Sequence, residues 1–187
     1  VQSGDVAPNQ DLEKLGVICY ILPVTAQTRK SNRSEKHHPS IQWAHQRNCG
    51  ERFNDAVRDF VVMEVREMGY IAVAPMRQDY FKYILEEGPQ GIVASNWSER
   101  HAAYVAGLGT FSLSDGFITP RGIAMRCGTI VTNLPLKASE RPYSDHYQNC
   151  LYYSQGTCKV CVQRCPVGAI TEAGHDKQKC LWYIRDY

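Results

Sequence analysis

Cys158-Lys-Val-Cys161-Val-Gln-Arg-Cys165-Pro166 places three thiols within eight residues and closes them with a proline. Thiolates are soft, anionic donors that suit iron in clusters and also zinc. The spacing matches the final three quarters of the ferredoxin-type run C-x2-C-x2-C-x3-C-P, whose last cysteine reaches a second cluster. Gln155 stands where the first cysteine of that run belongs, and Cys150 is the nearest replacement, through the longer loop Leu151 to Thr157. The segment Pro166-Val-Gly-Ala-Ile170 adds a helix stop, a tight turn at Gly168 and a small residue, Ala169, that leaves room beside the backbone. A zinc ribbon wants two C-x2-C pairs, and one is present. The expected metal ligands are Cys150, Cys158, Cys161, Cys165 and Cys180, and the expected cofactor is one or two 4Fe–4S clusters.

Two cubanes held by four thiolates each need more cysteines than the five found between Cys150 and Cys180. Either one cluster is bound or further ligands follow. The segment Cys180-Leu-Trp-Tyr-Ile-Arg-Asp-Tyr187 is patterned to its last residue, and the reading adopted is a longer native chain with a C-x-x-C after Tyr187. No initiator Met opens the chain, which fits the same reading. The remaining cysteines, Cys19, Cys49 and Cys127, are scattered. Disulfide scaffolds are short, secreted and spread their cysteines through the fold, so clustering points instead to a metal in a reducing cytoplasm.

With 187 residues, 43% of them hydrophobic, the chain can build one substantial core with a smaller appendage. A net charge of +2 is far from that of a dedicated nucleic-acid binder. There is no apolar run long enough to span a membrane, and Val1 to Gln10 lacks the order of a signal peptide.

The elements that must position the thiols follow from periodicity. Val17 to Leu22, closed by Pro23, reads as a buried strand. Thr25 to Ser40 is polar and reads as a solvated loop; its basic residues, Arg29 to His38, could alternatively hold an anion. Phe53, Ala56, Val57, Phe60, Val61, Val65 and Met68 predict a helix with one apolar face, stopped at Gly69. Tyr70 to Pro75 predicts a second strand, and Asp79 to Glu87 a short helix ending before Gly88. A cleaner helix runs from Asn96 or Ser98 to Gly107, and Gly122 to Leu134 ends in β-branched residues that predict another strand. A composition shift around Lys137 to Tyr143 sets the expected division: a mixed α/β or α+β unit over 1–140 and a cysteine-rich segment over 141–187.

Three stretches together resemble the epoxyqueuosine reductase-like iron–sulfur proteins, which share their core with corrinoid-dependent reductive dehalogenases. They are Ser98 to Thr110 with its Ala-Gly-Leu-Gly element, Gly122 to Leu136, and the cysteine region through Cys180. The resemblance implies a nitroreductase-like pocket domain overlaid by a ferredoxin-like segment. It also implies that Cys158 and Cys161 serve one cluster while Cys165 and Cys180 serve another, with electrons passing to a pocket-bound corrinoid (cobalamin) and then to substrate. One departure stands out: relatives acting on epoxyqueuosine place an acid shortly before the acidic-Arg pair, whereas Val93-Ala-Ser-Asn-Trp-Ser-Glu99 has none before Glu99. Opening an epoxide needs a proton for the departing oxygen.

Gly107, Gly109 and Arg100 are the cofactor-binding candidates, the glycines because bare backbone admits close approach. A helix C-cap explains Gly107 equally well. His101 could join Arg100 in a pocket, and Tyr152 and Tyr153 are expected to shield the cluster. The main expectation is an iron–sulfur oxidoreductase served by an electron-donor protein or reductant and acting on a small molecule or modified nucleoside. The alternatives are a ferredoxin-like electron carrier without its own catalysis and a zinc- or cluster-stabilised module that engages RNA through Arg29 to His38.

Overall fold

The computed structural model describes residues 14–86 and 93–185. In chain order it forms β1 (Gly16–Pro23), α1 (Ala26–Arg33), α2 (Ile41–Glu67), β2 (Ala72–Val73) and a 3-10 turn over Pro75–Arg77. Then come β3 (Tyr83–Leu85), β4 (Val93–Ser95), α3 (Glu99–Val105), β5 (Thr110–Phe111), β6 (Phe117–Ile118) and β7 (Met125–Thr132). The cysteine-rich end holds α4 (Leu151–Gln155), α5 (Val160–Arg164), β8 (Ile170–Thr171), β9 (Gly174–His175) and α6 (Lys177–Arg185). This is a mixed α+β architecture. No helix among the described residues is long and apolar enough to cross a membrane.

The main sheet has the order β1-β7-β2, and β7 runs antiparallel to both neighbours. The first and penultimate apolar segments thus pair directly, from Gly16 opposite Thr132 to Pro23 opposite Met125. Alternation sends successive side chains to opposite faces. On one face Ile130, Ala72 and Val65 form a core backed by Ile18, Tyr20, Val61 and Val62, so α2 covers that side. On the other, Cys127 packs with Ala103 of α3 and with Phe111 and Phe117 of the β5–β6 hairpin. Burying Ile130 and Phe117, both essentially inaccessible, contributes about 1.5–3 kcal/mol each.

Several expectations are corrected. The polar stretch after Thr25 is not all loop: Ala26–Arg33 is helical, with the Thr25 hydroxyl accepting the Thr28 N–H at 3.2 Å. None of its residues is buried, so no apolar stripe announced it. Helix α2 starts at Ile41, capped by the Ser40 hydroxyl, well before Phe53. Its inward face is also different. Phe53, Phe60 and Met68 are 61%, 56% and 61% exposed, whereas Asn54, Arg58 and Val65 are buried. Polar partners chose that face: the Asn54 amide donates to the Cys127 carbonyl at 2.8 Å and accepts from the Tyr20 hydroxyl at 2.9 Å.

The expected helix over 79–87 is replaced, in its described part, by strand β3 paired with β4. Asn96 enforces the pairing by accepting the Lys82 N–H and donating to the Tyr80 carbonyl. The predicted stop at Gly88 lies outside the described residues. The second strand shrinks to Ala72–Val73 because Pro75 opens a 3-10 turn. Gly69 does stop α2, at φ +85°.

The cysteine-rich segment is laced onto the rest. The Phe111 N–H donates to the His146 carbonyl at 2.6 Å, and Asn149 bonds Thr110 Oγ1 and the Ile118 carbonyl. At its far end the Arg164 guanidinium donates to the carbonyls of Asn32, Arg33 and Glu35, closing the C-terminal end of α1. Those carbonyls lack helical partners, and a cation there also suits the helix dipole.

Candidate functional site

All eight cysteines are free thiols. Cys150 sits at the N-terminal cap of α4, Cys158 in the following loop, Cys161 on α5, Cys165 at its C-terminal cap and Cys180 on α6. Gly156, left-handed at φ +69°, ends α4 and turns the chain back toward Cys158. The thiols fall into two groups. Cys161 is close enough to Cys150 and Cys158 to feel both electrostatically, and Cys180 likewise feels Cys165. Burial raises the Cys161 pKa, against the local backbone N–H groups, and burial together with Cys165 and Asp176 raises that of Cys180.

Cys165 differs. Burial pushes its pKa up, but backbone N–H groups of Val167, Gly168, Ala169 and Ile170 outweigh that and hold it below the ordinary thiol value. The Ala169 N–H lies 3.2 Å from its sulfur. The turn after Pro166, with Gly168 at φ +62°, therefore makes an amide-lined seat for a thiolate. The donors are all thiols, and neither set of neighbours supplies four. Among the described residues no three His, Cys, Asp or Glu side chains converge tightly enough for a single metal ion.

The scattered cysteines behave otherwise. Burial, with Glu99 nearby, pushes Cys19 up to about 11 and Cys127 up to about 12, so both stay protonated thiols. Tyr147 and Tyr153 stack at 4.2 Å and Tyr152 abuts Tyr153, so an aromatic shelf borders the helix that Cys150 opens.

A cleft of about 690 Å³ opens between α2, β7 and the segment entering α3. Phe81, Tyr83 and Trp97 form aromatic walls, and Arg47, Arg100 and Arg126 bring cations. Its floor is an ion-pair network centred on Arg58, which is 1% exposed. The Arg58 guanidinium grips Glu99 in a fork at 2.9 and 2.6 Å, and also reaches Glu51 and Asp55. Glu99 additionally accepts from the Thr129 N–H at 3.0 Å. Burial raises the Glu99 pKa against the pull of Arg58 and Thr129. Glu51 moves the other way: burial would raise it, but Arg58 and Arg126 prevail and hold it below the usual carboxylate range. Arg58, Glu51, Asp55 and Arg126 were not anticipated. The signal lay in an acidic, acidic, arginine spacing of four and three along one helix, which places all three on one face.

Replacing Arg58 with Met is expected to destabilise the fold by about 3–5 kcal/mol, because Glu99, largely buried, would lose its cation. The melting midpoint should fall by on the order of 10 °C. The double replacement Arg58→Met with Glu99→Met should recover part of that loss. A midpoint unchanged in the single variant contradicts the network's structural role.

Arg100 stands where two cavities meet. It lines the cleft and also a smaller cavity of about 420 Å³, where His101, Tyr104 and Phe111 face His146, Tyr147 and Lys177 of the cysteine-rich segment. One Arg100 nitrogen donates to the Asp115 carbonyl. The His101 ring accompanies it, bonded to the Ser98 hydroxyl at 2.6 Å, and burial lowers its pKa. Gly107 and Gly109 permit close approach, but of the chain to itself. A Cβ on Gly107 would lie 2.5 Å from the Glu140 carbonyl oxygen, and one on Gly109 2.3 Å from that of Ile118. Neither lines the cleft or the smaller cavity.

No family model matches the chain. It is 36% identical over 104 residues to an epoxyqueuosine reductase of Synechocystis, covering 54% of this chain and 30% of that protein. It is 29% identical over 109 residues to an epoxyqueuosine reductase of Bacillus anthracis, covering 54% of this chain and 26% of that protein. The chain thus spans less than a third of the length of either relative. Over about half of its own residues, this chain is similar to epoxyqueuosine reductases.

Proposed function

We infer that this chain is the iron–sulfur and cleft-bearing part of a reductase of the epoxyqueuosine reductase-like group. Cys150, Cys158 and Cys161 would hold one 4Fe–4S cluster, Cys165 and Cys180 would contribute to another, and the clusters would supply single electrons at low potential. The observation that carries this reading is the presence of five free thiols in one short segment, with the Cys165 sulfur accepting the Ala169 N–H at 3.2 Å. In this reading residues 1–140 form a nitroreductase-like pocket unit, 141–187 a ferredoxin-like one, and the protein works in the cytoplasm.

The cleft would hold the electron acceptor. Its volume is that of a small-ligand pocket, and a whole corrinoid exceeds it. We therefore assign the cleft to a small substrate or a modified nucleoside. Trp97, Phe81 and Tyr83 would stack a flat ring and keep water away, and Arg100 and Arg126 would bind an anionic group. Arg58 and Glu99, locked in their fork, would hold the floor rigid beneath it.

One observation favours a second reading, an electron carrier without chemistry of its own: every carboxylate lining the cleft is ion-paired. Anaerobic purification, a visible spectrum and analysis for iron, sulfide and cobalt test the assignment. Brown protein with iron and acid-labile sulfide is expected. Stoichiometric zinc without sulfide removes both readings, and iron without turnover of any cleft ligand leaves the carrier.

A further inference from the structure

We propose that α1 and the Cys165 turn together form a docking surface for an acidic protein, the kind of partner that would exchange electrons with the cysteine-held clusters. The proposal deepens, and rests on, the iron–sulfur reading above. Charge in this chain is segregated. Residues 25–40 carry four cations and one anion, and residues 141–185 carry six cations and three anions. Together they are net +6, while the other described residues, 14–24, 41–86 and 93–140, are net +1.

The fold brings the two basic segments side by side. Arg164, one residue before Cys165, reaches across to three carbonyls at the end of α1, and the Tyr183 hydroxyl on α6 donates to the His37 carbonyl at 2.9 Å. Arg29, Lys30, Arg33 and Lys36 are all exposed there. On the other flank the Lys179 ammonium stands over Gly168, 3.7 Å from where a Cβ would be, at the edge of the amide seat that holds Cys165. The anions nearby do not balance the set. Glu172 is paired with Lys159, which leaves Asp176 and Glu35 against the cations Arg29, Lys30, Arg33, Lys36 and Lys179. The result is a cationic collar beside the Cys165–Cys180 pair, sharing no residue with the cleft.

An acidic protein fits this collar better than an RNA does. A compact partner can match the collar alone, whereas an extended polyanion would run on over described residues that are nearly neutral overall and add little to its binding. The position suits the same partner, since electrons must enter where thiols come near the surface. Opposite charge at such a site mainly raises the encounter rate and loses its effect as salt screens it.

The test uses the whole chain, anaerobically prepared, with a plant-type ferredoxin as the acidic probe, binding read by calorimetry and iron measured on the same sample. Binding is expected to weaken at least about tenfold as salt rises from about 0.05 to about 0.3 M. The triple variant Arg29→Glu, Lys30→Glu, Lys36→Glu should weaken it about tenfold or more at low salt, with an unchanged melting midpoint because these side chains are exposed. Arg52→Glu, an exposed charge on α2, should change nothing. Binding that ignores both salt and the triple variant overturns the proposal, as does tRNA binding at this surface where ferredoxin does not bind. Salt-sensitive, collar-dependent binding to iron-free protein keeps the docking surface and removes the cluster reading. Iron present with no ferredoxin binding does the reverse.

Discussion

Replacing Cys161 with Ser is expected to strip most of the iron from anaerobically purified protein, while replacing Cys49 with Ser is expected to strip none. Cys161 is the thiol through which the trio is joined, since both Cys150 and Cys158 act on it. Serine is a hard, weakly acidic donor and does not replace a soft thiolate on iron. Loss should exceed one ligand's share, because cluster binding and local folding are coupled, and α4, α5 and the intervening loop are short pieces with no buried residue in either helix. Cys49 is exposed on α2 and belongs to neither group. Cys180→Ser should cost less iron than Cys161→Ser, because only Cys165 shares its group. Iron and sulfide per chain, with the visible absorbance, read all three. A Cys161→Ser protein that keeps its iron and colour would break the ligand assignment.

A second large effect is expected in catalysis. The full-length, cluster-loaded protein, given cobalamin, a strong reductant and tRNA bearing epoxyqueuosine, should convert that substrate at least about a hundredfold more slowly than an enzyme with a placed acid, since such a group contributes a factor of about 10²–10⁴. The residues preceding Glu99 supply no acid, and the Ser95 hydroxyl is spent on the Trp97 carbonyl at 2.6 Å. The cleft's own carboxylates do not substitute. Glu99 is committed to the fork of the buried Arg58 guanidinium, and protonating it would break its pairing with that cation. Glu51 is pinned between Arg58 and Arg126 and held ionised, and Asp55 lies between Arg58 and Arg77. Cys127, protonated until about pH 12, is too weak an acid. Rapid conversion to queuosine would show that a donor outside this set delivers the proton.

The parts legible in the sequence were those with strong local codes. Strand β1 announced itself by an uncharged apolar run before Pro23, α3 by Ser98 and Gly107, and the thiol site by its spacing. The parts that failed depended on distant partners. Phe53 and Phe60 looked inward by period, yet Arg58 and Asn54 took the inner face because Glu99 and the Cys127 carbonyl wait for them there. The segment before β4 has helix-compatible residues, yet Asn96 and β4 draw it into a hairpin. Helix α1 is wholly polar and is held by Arg164, more than a hundred residues away, so no window around it could reveal its end. The division of Cys158 and Cys161 from Cys165 and Cys180 was likewise implied by family likeness, and Cys150 entered only as the nearest replacement for the cysteine missing at Gln155.

The position of β7 in the middle of the sheet has a consequence for synthesis. When β1 leaves the ribosome its strand partner among the described residues has not been made, since Pro23 pairs with Met125 and Gly16 with Thr132. At about 5–20 residues per second, the wait lasts on the order of ten seconds. During that interval Val17-Ile-Cys-Tyr-Ile-Leu22, which carries no charge, is an open template for any other nascent strand. Helix α2 cannot shelter it alone, because the core that joins them is completed by Ile130 from β7 itself. The nascent chain is therefore a natural client for a holding chaperone until Thr132 has emerged, and yield in a heterologous host should be governed by that window more than by the stability of the finished fold.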